Sequence, residues 1–277
     1  MKRLLQYLAA LLVAYVLILV AARVFENHLI FFPNFPGRLD GDWTPHGLGV
    51  EDAWLRASDG VKLHSWWIGA KNAEYTFLCF HGNAANIANR AEMYRFLSEL
   101  PVNVLAVEYR GYGKSEGSPS EAGIYLDAQA AYDYLVKERG IAPRKIVVFG
   151  VSLGTAVATD LASQREVGGL VLEAPFPSAR AVARRVYPFL PGLNAVVRSK
   201  FSTAAKLKNV HVPVLVAHCT SDPVIAFSLG EEVFRAANEP KTFLRIEGVC
   251  HEEATLVAPA EYRAALLDFL SRLPTHH

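Results

Sequence analysis

The sequence predicts an α/β protein: a mostly parallel central sheet with helices on both faces, a short cap, and a helix of membrane-spanning length ahead of them. Three observations carry this. Several strand-length segments are apolar throughout, which suits strands buried on both faces. They alternate with helix-length stretches, the pattern of a parallel sheet. Finally, Leu4 to Ala22 is a nineteen-residue apolar run broken only by Gln6 and tyrosines.

That run follows Lys2 and Arg3 and ends at Arg23 and Glu26. Nineteen helical residues rise about 28 Å, close to the ~30 Å hydrocarbon thickness of a bilayer. The run is longer than the apolar region of a signal peptide, although Val20-Ala21-Ala22 resembles a cleavage site. An uncleaved anchor over residues 1–24 is the expectation, and secretion after cleavage the alternative. The charge bias predicts the N-terminus inside and the rest of the chain on the non-cytoplasmic side.

A linker is expected over residues 25–48, where Phe31-Phe32-Pro33-Asn34-Phe35-Pro36-Gly37 forbids a continuing helix. Its aromatic rings suit a membrane interface and packing on the domain equally well. The main domain is expected over residues 49–277. Trp54-Leu55 and Val61 to Ile68 read as strands around the turn Ser58-Asp59-Gly60. Further strands are expected at Tyr75 to Phe80, Val102 to Val107, Lys145 to Phe149, Leu170 to Leu172, Val214 to Ala217 and Thr242 to Ile246. Helices are expected at Ala85 to Leu100, Glu121 to Glu138, Ser152 to about Gln164, Phe227 to Ala237 and Pro259 to Leu273. A cap over about residues 175–208, with four prolines, breaks the alternation. It would overhang a site at the C-terminal strand ends, where such sheets bind ligands.

Composition narrows the function. The chain has 277 residues, 52% hydrophobic and 20% charged, which suits one substantial core. A net charge of +1 with no basic stripe gives no reason to expect a nucleic-acid partner. Cys79, Cys219 and Cys250 lack zinc-site spacing, so no metal is expected. The stretch Arg110 to Ser118 has Glu108 where a phosphate-binding loop needs glycine, and no nucleotide cofactor is implied.

The sharpest motif is Gly150-Val151-Ser152-Leu153-Gly154, between an apolar strand and a helix-compatible stretch. That context makes Ser152 the candidate nucleophile of a strand-turn-helix elbow. A serine hydroxyl needs a base oriented by a third group. In this architecture the chain order is serine, acid, histidine. His251 and Asp222 lie in the loops after the last two strands, and Glu173 is an alternative acid. Asp127, Asp160 and Asp268 fall on helices and read as surface residues. His218 precedes the acid, which speaks against it as base, and His276 and His277 read as solvated. Leu153 N–H and Asn83 N–H are the candidate oxyanion-hole donors, with Ala84 as an alternative to Asn83. His81 reads as a brace for that loop.

Phe80-His81-Gly82-Asn83-Ala84, Glu108 to Gly117 and Gly150 to Gly154, with Phe31-Phe32-Pro33, resemble the α/β-hydrolase superfamily. Within it the chain is similar to the membrane-anchored serine hydrolases grouped with abhydrolase-domain proteins thirteen and seventeen and their bacterial relatives. The resemblance runs from about residue 28 onward. It implies the α/β-hydrolase fold, a triad falling on Ser152, Asp222 and His251, and esterase or thioesterase activity on a lipophilic acyl substrate. Removal of acyl groups from proteins is a second possibility; a serine peptidase and a non-catalytic binding protein are others. The chain departs from the pattern at His218-Cys219 and Val249-Cys250. These cysteines flank the acid and the base on neighbouring loops, and the sequence leaves both a free pair and a disulfide open, the latter suiting an oxidising compartment.

Overall fold

The computed structural model describes residues 1–33, 35, 43–192, 196–252 and 254–274. Asn34, Pro36 and Gly37 of the linker, residues 193–195 of the cap, and His276 and His277 lie outside the described residues.

Eight strands form one sheet: β1 (Glu51–Arg56), β2 (Lys62–Ile68), β3 (Tyr75–Phe80), β4 (Val102–Val107), β5 (Ile146–Val151), β6 (Gly169–Glu173), β7 (Val214–Cys219) and β8 (Lys241–Ile246). Their order is β1-β2-β4-β3-β5-β6-β7-β8, antiparallel at β1–β2 and β2–β4 and parallel elsewhere. The parallel strands are apolar throughout because both sheet faces are covered. Alternate residues of β5 show it. Ile146 and Val148 join one core with Leu78, Phe80, Leu172 and Val216, while Val147 and Phe149 join another with Phe77, Cys79, Val171 and Leu215.

The helices are α1 (Lys2–Val24), α2 (Glu26–Ile30), α3 (Ala91–Ser98), α4 (Glu121–Lys137), α5 (Leu153–Ala162), α6 (Ala179–Val186), α7 (Thr203–Lys206), α8 (Phe227–Ala236), α9 (Ala254–Val257) and α10 (Pro259–Ser271). The segment read as one helix over Ala85 to Leu100 is instead a 3-10 turn at Ile87–Arg90 followed by α3. Ala85, at φ +61°, and extended Asn86 delay its start, Asn86 Oδ1 caps the turn by accepting from Ala88 N–H at 2.9 Å, and Arg90, at φ −112° and ψ 17°, separates the turn from α3.

Two aspartates read as surface residues are buried. Asp127 on α4 is fully enclosed and receives Arg110 Nε at 2.9 Å, and Asp160 on α5 pairs with Lys206 at 2.5 Å. A buried carboxylate persists where a cation compensates its lost hydration. Helical position alone does not reveal those partners, because both cations come from distant loops and elements.

α1 has the length and hydropathy of a membrane span, and its span is not buried against the domain. The connector after it is docked. Phe31 is 3% exposed and meets the Phe201 ring edge-on, with ring centres 6.3 Å apart. Phe32 bridges Ala84 in parallel fashion and is itself 41% exposed. Of the two placements open for these aromatics, Phe31 therefore takes the domain.

The chain runs from β3 to β4 on one side and then crosses to β5 on the other. This reversal opens a crevice at the C-terminal ends of β3 and β5. The loop 81–86 leaves β3 there, and Ser152 leaves β5.

Candidate active site

Ser152 sits between β5 and α5 at φ +52°, ψ −117°, a strained conformation for a residue with a side chain. The turn holds because its neighbours are small. A Cβ on Gly154 would run into the Phe80 carbonyl, and one on Gly150 into the Gly154 carbonyl. Ser152 N–H donates to Glu173 O at 2.9 Å, and Thr155 Oγ1–H donates to Ser152 O at 2.6 Å. The hydroxyl is thereby presented at the N-terminus of α5, where developing negative charge is favoured.

His251 Nε2 lies 2.9 Å from Ser152 Oγ, and His251 Nδ1 lies 2.8 Å from Asp222 Oδ2. The Asp222 side chain is fully buried, and its Oδ1 accepts from Val224 N–H at 2.7 Å and Ile225 N–H at 2.8 Å. These bonds leave Oδ2 aimed at the histidine. Glu173 does not take the acid's place. Its carboxylate accepts instead from Tyr262 Oη–H at 2.7 Å and Ala254 N–H at 3.3 Å.

Sequence reasoning missed a second histidine on the acid. His218 Nε2 faces Ile225 O at 3.0 Å and Asp222 Oδ2 at 3.2 Å. A carbonyl acceptor requires the proton on Nε2, so His218 donates toward both oxygens. The four-residue spacing of His218 and Asp222 was a visible signal. Gly230 packs where a Cβ would strike His218 Nδ1.

The acid and histidine loops are tied together. Cys219 and Cys250 form a disulfide, with Cα atoms 5.6 Å apart. Ser221 N–H donates to Gly248 O at 3.0 Å, and Thr220 N–H to Ile246 O at 2.8 Å. Arg90 joins the loop after β3 to the His251 loop by donating to Ala84 O at 2.9 Å and Glu252 Oε2 at 2.8 Å.

Burial acts to raise the Asp222 pKa, but hydrogen bonds from His218 and His251 outweigh it and hold the carboxyl well below the usual range. Burial acts to lower the His251 pKa, but the bond and charge of Asp222, aided by Glu252 and Glu173, raise it overall. Glu173, fully buried, is pushed up to about 7 by desolvation, against the bonds from Tyr262 and Ala254.

Among the described residues, Asn83 N–H and Leu153 N–H donate to no protein acceptor; Leu153 directly follows Ser152, and Asn83 lies in the loop that leaves β3, the strand beside β5. Leu153 N–H belongs to the open first turn of α5. The Asn83 loop is braced from several sides. Tyr112 Oη–H donates to Asn83 O at 2.7 Å, Phe32 N–H donates to the same oxygen at 2.9 Å, and Asn83 Nδ2–H donates to Ile30 O at 2.9 Å. His81 sits at the base of the loop: Nδ1–H donates to Gly82 O at 2.7 Å, and Nε2 lies 3.0 Å from Glu108 Oε1.

Residues 77–204 match the profile of the alpha/beta hydrolase family. The Arabidopsis thaliana alpha/beta hydrolase domain-containing protein WAV2 is 37% identical over 286 residues, covering 95% of this chain and 92% of that protein. An uncharacterized protein of Mycobacterium tuberculosis is 34% identical over 250 residues, covering 89% and 87%. The human alpha/beta hydrolase domain-containing protein 17B is 31% identical over 229 residues, covering 80% and 76%. Among solved structures, an esterase of Pyrococcus furiosus superposes with a TM-score of 0.71 at 22% identity, covering 88% of this chain and 99% of that one, which bears on the fold alone.

Proposed function

Because the chain belongs to the α/β-hydrolase family, we propose that it is a membrane-anchored serine hydrolase cleaving carboxylic ester or thioester bonds of lipophilic acyl substrates. The observation that carries this is the line from Ser152 Oγ to His251 Nε2 at 2.9 Å and from His251 Nδ1 to Asp222 Oδ2 at 2.8 Å.

In this reading His251 Nε2 takes the Ser152 hydroxyl proton as Oγ adds to the substrate carbonyl carbon. Asn83 N–H and Leu153 N–H receive the oxyanion. Collapse expels the alcohol or thiol, which takes the proton from His251 and leaves an acyl-serine. Water, deprotonated by the same nitrogen, then attacks that ester, releases the acid and restores Ser152. Asp222 holds His251 in the tautomer this requires and stabilises its imidazolium.

α1 serves as the anchor over residues 1–24. The hydrolase domain occupies residues 49–277, with a cap at about 175–208, and α2 with Phe31 and Phe32 docks the connector onto it. The Cys219–Cys250 disulfide supports placing the domain on the oxidising, non-cytoplasmic side.

The test is a p-nitrophenyl ester series run beside acyl-thioesters, with fluorophosphonate labelling of the native chain. Ser152→Ala should lose about a thousandfold or more in kcat and all labelling at unchanged Tm. Unchanged turnover in this variant would refute the proposal.

A further inference from the structure

The cap runs down the side of α1, and α1 is a ruler for its depth. Arg23 Nη1–H donates to Val196 O at 3.0 Å, and Arg198 Nη2–H donates to Arg23 O at 2.9 Å. Further down, Gly192 packs near Leu19, and Tyr15 Oη–H donates to Pro191 O. Tyr15 and Arg23 are eight residues apart, which is about 12 Å of helix.

The cap segment at that depth is apolar and uncovered. Phe189 is 70% exposed, and Val186 and Tyr187 are each 46% exposed. Part of its polar backbone is already provided for. Pro188 and Pro191 have no N–H, Leu190 N–H donates to Tyr187 O, and Pro191 O has its tyrosine donor. Nearer the domain the character changes. α6 exposes Arg180, Arg184 and Arg185, and a cavity of about 410 Å³ is lined in part by the charged residues Arg23, Glu26, Glu121 and Arg198. Cations beside an apolar wedge are the arrangement of an interfacial element, with headgroups on one part and acyl chains on the other.

We infer that the tip of the cap, Val186 to Pro191, is a second membrane element that inserts into the lipid hydrocarbon beside α1, with the α6 arginines among the phosphate headgroups. The occupant of this surface is the bilayer itself. The inference rests on the proposed function, in which α1 spans that bilayer. Insertion would open the cap toward the acyl-chain layer, so that a lipophilic ester reaches Ser152 without crossing water.

The test uses the full chain in phosphatidylcholine vesicles containing phosphatidylglycerol. A nitroxide is placed at position 189 (Phe189→Cys), with Leu12→Cys on α1 and Leu267→Cys on exposed α10 as references. Cys79 is buried and the other two cysteines are bonded, so labelling falls on the introduced thiol. The label at 189 should relax with oxygen and resist a water-soluble nickel chelate, as the label at 12 does. Nickel access at 189 equal to that at 267, with 12 protected, would overturn the insertion alone. Shielding of 189 from both reagents would place it against protein, such as a second copy of the chain, and would also overturn it. Nickel access at 12 would remove the anchor and the insertion together. Phe189→Asp should slow hydrolysis of a vesicle-embedded long-chain ester about tenfold and leave a soluble acetate ester unchanged. Loss on neither substrate would count against the inference. Absence of any ester turnover in the native chain would remove the hydrolase assignment and leave the depth result standing.

Discussion

The side-chain amide of Asn83 donates to the carbonyl of Ile30 at 2.9 Å, so the loop carrying a proposed oxyanion donor is held by the last residue of α2, the short helix directly after α1. The return bond from Phe32 N–H to Asn83 O, at 2.9 Å, closes the contact. Asn83→Ala keeps the backbone donor and removes this brace. The expected result is a fall in kcat of about tenfold with little change in KM, the pattern of an interaction felt in the transition state. Steady-state kinetics on one ester checks it, and a rise in KM alone would contradict it.

The pH dependence is set by His251. Its pKa is raised because the bond and charge of Asp222 outweigh desolvation. The proposed base works only when neutral, so activity should be lost as pH falls through that raised pKa. The acidic limb of kcat/KM should therefore lie above 6.5, the ordinary histidine value. Asp222→Asn should move the limb down and lower kcat by about 10⁴-fold, because the neutral amide allows the wrong tautomer.

Glu173 predicts a stability effect of the opposite sign to a paired carboxylate. Its folded pKa is raised from 4.5 to about 7 by burial. Between those values the folded state binds more protons than the unfolded state, so stability falls as pH rises through this window. The full difference is about 3 kcal/mol. Glu173→Gln keeps an acceptor for Ala254 N–H and cannot ionise. Its Tm relative to the native chain should rise between pH 4.5 and pH 8, and a pH-independent difference would count against the account.

The disulfide joins residues 31 positions apart, a loop whose closure in the unfolded chain is worth about 3–4 kcal/mol. Cys219→Ala with Cys250→Ala should lower Tm by several degrees, and reduction of the native protein should do the same. Because the bond spans the acid and histidine loops, kcat should fall as well. Equal Tm with and without reductant would show that the bond contributes nothing.

The sheet was legible in the sequence because buried parallel strands must be apolar and helices must cover them. β3 and β4 match their expected bounds, and β5 to β8 needed only boundary shifts of a residue or two, such as Val214 to Ala217 growing to Cys219. Ser152, Asp222 and His251 were nameable as candidates because each sits where a strand ends, and strand ends are visible as the close of an apolar run. What stayed hidden depends on contacts across the fold. Nothing local to Asp127 announces Arg110, only a four-residue spacing hints that His218 turns toward Asp222, and Ala85's positive φ delays a helix that periodicity alone begins there. The docking of the connector was likewise invisible, since Phe31 and Phe32 read alike in sequence and only one of them is buried.

Glu26 completes the joint that Asn83 begins. Its carboxylate, almost fully enclosed, accepts from Arg198 N–H at 2.8 Å and Ser199 N–H at 2.6 Å. These bonds tie α2, directly after α1, to the cap. With α1 as the proposed anchor, the plane that holds it would also fix the direction in which the crevice faces, and encounters with substrate would be governed by amount per unit area and not by amount per unit volume. A flexible spacer inserted between α1 and Glu26 would give the domain back its freedom to tumble and would turn an interfacial reaction into an ordinary bulk one.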